Sequence, residues 1–282
     1  MTIRNPKQEG SNLYDCKPQK GSCPLNCNQC FYNRPDAFYV DPEKEHMPTA
    51  EEVGDGIMRV NSGHDSNFQK KLVVEKTAIY PERFFNTSIP NFDFPGPVVF
   101  TANKEEEKSF HAFHNEEITD NLMFVRLRVS NTNLSLINAA VKSWTNQGVP
   151  VVLTFMAYYT NKPIDNGKRF GLSDPECYVY KVRHINSYYC ATDEFMEYVL
   201  EREKKIGGRL VSMCGDIGSY YCRTCKNCET YYWQTKKRMR GGKQYTCNHC
   251  WYSFDRPIPC DYGEDYAPDI QDGCPKCEKK FI

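Results

Sequence analysis

Apolar and polar positions alternate most regularly over residues 123–130. Val125, Leu127 and Val129 fall on one face of an extended chain; Arg126, Arg128 and Ser130 fall on the other. Five further short apolar runs, at 12–16, 84–89, 98–103, 150–158 and 210–214, read as strands. Helices are expected between them. One runs over 49–59, N-capped by Thr49 with Glu51 and Glu52 in its first turn. A second covers 67–80 with Leu72, Val73 and Ile79 inward. An amphipathic third covers 134–146, and a fourth covers 192–206, started by Thr192 and Asp193 and stopped by Gly207-Gly208. Residues 33–47 read as loop, and 104–120 as charged helix or loop.

Strands that alternate with helices imply a parallel sheet, here of about six βα units between residues 12 and 216. Polar side chains on a buried strand face suit a barrel with a polar ligand in its lumen better than a flat sheet. The expected fold is therefore α/β: a partial (β/α)6 TIM-like barrel whose active site lies at the carboxyl ends of the strands. Thr101, Asn103, Thr154, Met156 and Tyr158 are lumen positions by the same alternation. Near residue 217 helical periodicity ends and cysteine density rises. The chain divides there into a barrel, 1–216, and a small cysteine-rich metal-binding domain, 217–282.

Hydrophobic residues make up 40% of the 282 positions and aromatics 13%, enough to fill a core. The formal net charge is zero, so no whole-molecule field draws the chain to nucleic acid or membrane. No apolar run reaches spanning length, and the polar N-terminus has no apolar secretory segment, so a cytoplasmic protein with no membrane association is expected. The fifteen cysteines are odd in number and many sit in C-x2-C pairs. That usage points to metal ligation in a reducing compartment, not to disulfides.

The chemistry concentrates in Ser22–Phe31, where Cys23, Cys27 and Cys30 are spaced C-x3-C-x2-C. Pro24 and Asn26 disfavour a helix, leaving an irregular loop on which thiols can converge. Three thiols with no clear fourth suit a cubic iron–sulfur cluster with one open iron; a structural zinc ion wants four ligands. The other reading of this loop is a zinc site completed by Cys16. The spacing, directly after a first strand, resembles the cluster loop of the radical S-adenosylmethionine (radical SAM) superfamily. That resemblance implies a [4Fe-4S] cluster on Cys23, Cys27 and Cys30, with SAM on the open iron. It further implies reductive cleavage of SAM to a 5′-deoxyadenosyl radical that abstracts hydrogen from substrate, and an electron donor such as a flavodoxin or ferredoxin. Gln29 stands where the family usually has an aromatic. The family's Gly-Gly-Glu stretch is replaced by Ser62-Gly63-His64-Asp65. Gly63 would let backbone approach the SAM amino group, and Asp65 would take its ammonium charge. Arg126, Arg128 and Ser130 look like the family's polar strand set for the SAM carboxylate and ribose.

In the tail, Cys225-x2-Cys228 and Cys247-x2-Cys250 are separated by 18 residues. Two such knuckles on paired strands resemble a zinc ribbon, and Tyr231-Tyr232-Trp233 and the turn Gly241-Gly242 fit it. Cys274 and Cys277 form a third knuckle, able to close a second site with Cys222 and Cys260. A rival grouping gives Cys214, Cys222, Cys225 and Cys228 to a second iron–sulfur cluster and leaves Cys247, Cys250, Cys274 and Cys277 for zinc. Cys214 shares a strand face with Ser212. It is a candidate catalytic hydrogen-atom donor, a cluster ligand, or a small buried hydrophobe. Residues 222–258 carry about six net positive charges, concentrated at Lys236–Lys243. That segment is either a phosphate-backbone footprint or a solvated hairpin tip. Two functions remain open: a radical SAM enzyme acting on a nucleic acid or protein substrate, and a non-catalytic zinc-dependent nucleic-acid-binding or scaffold protein.

Overall fold

The computed structural model describes residues 4–27, 30, 41, 43–102, 118–159, 174–184, 187–240, 245–246 and 253–254. Six strands lie side by side in chain order: β1 (Leu13–Cys16), β2 (Ile57–Val60), β3 (Arg83–Thr87), β4 (Val98–Thr101), β5 (Leu122–Val129) and β6 (Val151–Phe155). The next three, β7 (Tyr158–Tyr159), β8 (Tyr178–Lys181) and β9 (Tyr188–Ala191), form a separate antiparallel sheet in the order β7-β9-β8. Strand β10 (Val211–Met213) then joins β6. Every neighbouring pair in the seven-stranded sheet is parallel, and the sheet curls into a half-barrel consistent with a partial TIM-like barrel.

The seventh strand is β2, which the sequence pattern absorbs into a helix over 49–59. Only α1 (Ala50–Val53) is helical there. Its capping box is present as expected, with Thr49 and Glu52 exchanging side-chain to backbone bonds. Gly54 then turns to φ 55°, ending the helix. The second helix is also shorter than expected, α2 (Lys70–Lys76) followed by a 3-10 turn, Thr77–Ile79. Val73 and Tyr80 point inward, whereas Ile79 is exposed. Helices α3 (Leu134–Asn146) and α4 (Asp193–Gly207) lie as expected, α4 capped by the Thr192 hydroxyl, which accepts from Phe195 N–H.

Strand alternation sorts the core into two layers. On the outer face Cys16, Met58, Val60, Phe85, Phe100, Val125, Leu127 and Leu153 pack with Val73 of α2, Ile137 and Trp144 of α3, and Phe195 and Val199 of α4. On the inner face Leu13, Ile57, Phe84, Val99, Phe124 and Val152 form a second apolar layer. That layer is covered by the tail. Helix α5 (Cys222–Cys225) and helix α6 (Asn227–Met239) are separated by Lys226 in a left-handed conformation, φ 52°.

Helix α6 overturns the expectation that the first knuckle lies on ribbon strands. Tyr231 and Tyr232 sit on this helix, their rings 5.5 Å from Phe124 and 6.2 Å from Phe84 respectively. The Tyr232 hydroxyl donates to Glu82 Oε2 at 2.5 Å, and Lys236 pairs with the same carboxylate at 3.2 Å. Arg238 donates to the carbonyls of Asp120 and Leu122 at 2.8 and 2.7 Å. Part of the basic run is thus spent inside the molecule, at the amino edge of the sheet, rather than on a hairpin tip. Strands β11 (Tyr245–Thr246) and β12 (Ser253–Phe254) pair antiparallel on either side of Cys247 and Cys250. Those two cysteines, with Cys260, Cys274, Cys277 and Asn103, lie outside the described residues.

Tyr232 is fully buried. A Tyr232→Ala variant is expected to lose about 3–5 kcal/mol of stability in denaturant titration. A loss under about 1 kcal/mol would mean that α6 does not cover the inner face.

Candidate functional site

Because all seven strands run the same way, their carboxyl ends share one edge. The chain leaves that edge after β1 and returns to it: Lys17 and His46 exchange backbone hydrogen bonds of 2.8 and 2.9 Å. The excursion between them carries Cys23, Cys27 and Cys30. Two local bonds shape its start, Asn26 N–H to Cys23 O at 3.2 Å and Cys30 N–H to Cys27 O at 3.0 Å. Asn26 takes φ 43°, a left-handed turn that asparagine tolerates. Buried Gln19 donates to the carbonyls of Asp65 and Phe68 at 3.2 and 2.9 Å, docking the base of the loop on the turn after β2.

The structure brings the thiol loop against the Ser62–Asp65 turn. Burial pushes the Cys23 thiol up to about 11; backbone hydrogen bonds from Leu25 and Asp65 oppose the shift, and the charges of Asp65 and Cys30 add to it. His64 approaches the Ser22 backbone, and burial pushes its pKa down. Gly63 is in this turn. The Asp65 carboxylate is committed to the protein, accepting from Asn67 N–H, the Thr87 hydroxyl and Ser88 N–H at 2.9, 2.9 and 2.5 Å. Asp65 therefore fixes the turn to the end of β3. Cys16, the suggested fourth ligand of a zinc site, packs in the outer layer and is 1% exposed. Three thiols with Cys16 packed away in the outer layer are a donor set that fits a cluster with one open position.

Above the inner apolar layer the strands turn polar. Asp15 and Arg59, register partners on β1 and β2, form a forked pair of 2.6 and 2.8 Å. Asp15 also accepts from Asn5 and Gln8 at 3.1 and 2.7 Å. Burial pushes the Asp15 carboxyl up. The Arg59 charge and these hydrogen bonds outweigh it and hold the carboxyl below its ordinary value. Arg126 donates to Asn86 Oδ1 at 3.5 Å. Buried Arg128 stands opposite Thr154, whose hydroxyl is among the buried groups with no hydrogen-bond partner. Ser130 is less free than its position suggests: its hydroxyl pairs with Thr132 at 2.9 Å and its N–H donates to Asn133 Oδ1. Thr154 keeps the expected lumen face. Met156 and Tyr158 lie beyond the end of β6 and pack in the outer cluster, Tyr158 against Tyr178.

A second group of thiols lies on this inner face. Cys214 follows β10, its N–H donating to Leu153 O at 2.7 Å; it is exposed, so it is not a buried hydrophobe. Cys222 and Cys228 pack against the inner apolar layer. Burial raises the Cys222 thiol to about 11 and the Cys228 thiol to about 12, with Arg59 pulling both down and Cys214 pushing both up. Cys225 is likewise raised by burial, with Cys214 adding to it. Arg126 is lowered by burial, opposed by Cys228 and Cys214. Among the described residues no three His, Cys, Asp or Glu side chains are gathered closely enough to hold a single metal ion. No described helix is long and apolar enough to cross a membrane.

Sequence reasoning missed Asp15, Arg59 and Asn86. The signal for Asp15 was available in the alternation of Leu13 and Asp15 against Tyr14 and Cys16. Arg59 was hidden by the helix expected over β2. Compared with protein-family profiles, curated proteins and solved structures, the chain matches none.

The buried Asp15–Arg59 pair makes a pH-dependent contribution. Asp15→Asn is expected to cost on the order of 3–5 kcal/mol at pH 7, because Arg59 keeps a buried charge without its counter-ion. The folded-state pKa of Asp15 is depressed, so its contribution is full above about pH 4 and is lost as pH falls through that depressed value. Unfolding curves of the two proteins should therefore converge in acid. A constant gap from pH 7 to pH 2 would contradict this.

Proposed function

We propose that this chain is a radical SAM enzyme acting on a macromolecular substrate, nucleic acid or protein. The observation that carries the proposal is the position of Cys23, Cys27 and Cys30. They rise from the carboxyl end of the first strand of an all-parallel half-barrel, against the turn after the second. When bound, a [4Fe-4S] cluster and SAM would supply reductive cleavage of the sulfonium to a hydrogen-abstracting radical.

In this reading Cys23, Cys27 and Cys30 would hold the cluster as thiolates, each thiol giving up its proton on ligation. The turn that carries Gly63 meets the loop through His64 and Asp65, and the Gly63 backbone would offer polar groups for the SAM amino end. Asp65 holds that turn in place through Thr87 and Ser88, and its remaining acceptor capacity and charge would suit the ammonium. Arg128, nearer the carboxyl end of β5 than Arg126, would supply positive charge for the SAM carboxylate. The aromatic floor of Phe84, Phe124, Tyr231 and Tyr232 excludes water from below. The electron comes from outside the chain, from a donor such as a flavodoxin or ferredoxin.

Protein reconstituted anaerobically with iron and sulfide, then given SAM and dithionite, is expected to release 5′-deoxyadenosine and methionine. Cys27→Ala should abolish that release. Persistent cleavage in Cys27→Ala, or a parent protein that takes up zinc and no iron, would overturn the proposal.

A further inference from the structure

The inner face holds four thiols that the proposed loop chemistry does not use. We propose that Cys214, Cys222, Cys225 and Cys228 are the ligands of a second [4Fe-4S] cluster, set inside the half-barrel between Arg59 and Arg126.

The backbone is built to bring these four residues together. Cys214 emerges from β10 and Gly215 follows at φ 85°. A side chain at Gly215 would meet Ser219 O at 2.9 Å and Tyr220 Cα at 3.2 Å, so the turn requires glycine. Asp216 and Ser219 then bond to each other in both directions, at 2.5 and 2.9 Å, and reverse the chain. That reversal returns Cys222 to the neighbourhood of Cys214. The Asn227 side chain donates to Met213 O at 2.6 Å, pinning the start of α6 to the end of β10. The left-handed Lys226 bends the chain between α5 and α6, carrying Cys228 onto the inner layer beside Cys222.

The spacing favours a cluster over a zinc ion. Cys222, Cys225 and Cys228 recur as C-x2-C-x2-C with the fourth thiol remote, the run that ligates a cubane in ferredoxin-type sites. The thiols are near enough to one another, and to Arg59 and Arg126, to feel their charges. A closed four-thiolate centre is an anion, and buried anions need compensation. Among the described residues Arg126 makes no ion pair with a carboxylate, whereas Arg59 is paired with Asp15 through two hydrogen bonds. The zinc-ribbon grouping would instead draw Cys225 and Cys228 to Cys247 and Cys250.

The inference is independent of the loop, so the test removes the loop thiols. Full-length protein carrying Cys23→Ala, Cys27→Ala and Cys30→Ala is reconstituted anaerobically with ferrous iron and sulfide. It is expected to retain about four irons and about four sulfides per chain, and to keep them when Cys247→Ser and Cys250→Ser are added. Adding Cys214→Ser and Cys222→Ser instead should remove them. A loop variant with no iron, or one that loses its iron with Cys247 and Cys250 but not with Cys214 and Cys222, overturns the proposal. Should the loop variant fail to fold, iron is counted in the otherwise unaltered chain with and without Cys214→Ser and Cys222→Ser. A drop of about four irons supports the second cluster, and no drop overturns it.

Discussion

An open parallel half-barrel has a concave face that must be covered, and here helix α6 covers it. The apolar inner layer of Leu13, Ile57, Phe84, Val99, Phe124 and Val152 would otherwise face water. Tyr231 and Tyr232 cover it, and Glu82, Lys236 and Arg238 fasten the far end of the helix to the amino edge of the sheet. The rest of the inner face follows from this contact. To reach the floor, the chain after β10 must turn back across the sheet, and on the way it packs Cys222 and Cys228 on the inner layer. Covering the sheet and assembling the thiol group are one geometrical event.

The polar layer above that floor obeys a charge constraint. Arg59 and Arg126 are cations on a largely buried face. Asp15 answers only the first, and its oxygens are shared with Asn5 and Gln8. Among the described residues positive charge is therefore left over, next to thiols whose pKa burial raises. The loop thiols stand in different surroundings, at the carboxyl edge beside Asp65 and His64. The two thiol groups thus differ in neighbours and in ligand number, three against four, which suits one open centre and one closed one.

Much of the sheet was legible in the sequence because β5, β6 and the helices α3 and α4 are long enough for their periods to be read. Strand β2 was not, since Ile57-Met58-Arg59-Val60 is short and follows an N-terminal capping signal at Thr49. The pattern then ran a helix through Gly54, where the real chain turns. Helix α6 was missed for a different reason: it buries only Tyr232 and Thr235 fully, too narrow a stripe to mark a helix. Of the site, the thiol loop and the face of Arg126 and Arg128 were readable from spacing and alternation. Partnerships were not. That Asp65 spends its carboxylate on Thr87 and Ser88, and Ser130 its hydroxyl on Thr132, depends on neighbours distant in space or in turn geometry that no period encodes.

The proposed activity requires an open iron at the Cys23–Cys30 loop that takes SAM. Low-temperature electron paramagnetic resonance of the dithionite-reduced protein, with Cys214 and Cys222 replaced by Ser, isolates that centre. Addition of SAM is expected to shift its signal, because a ligand on the open iron alters the cluster's electronic structure. A reduced cluster whose spectrum is the same with and without saturating SAM would contradict the account.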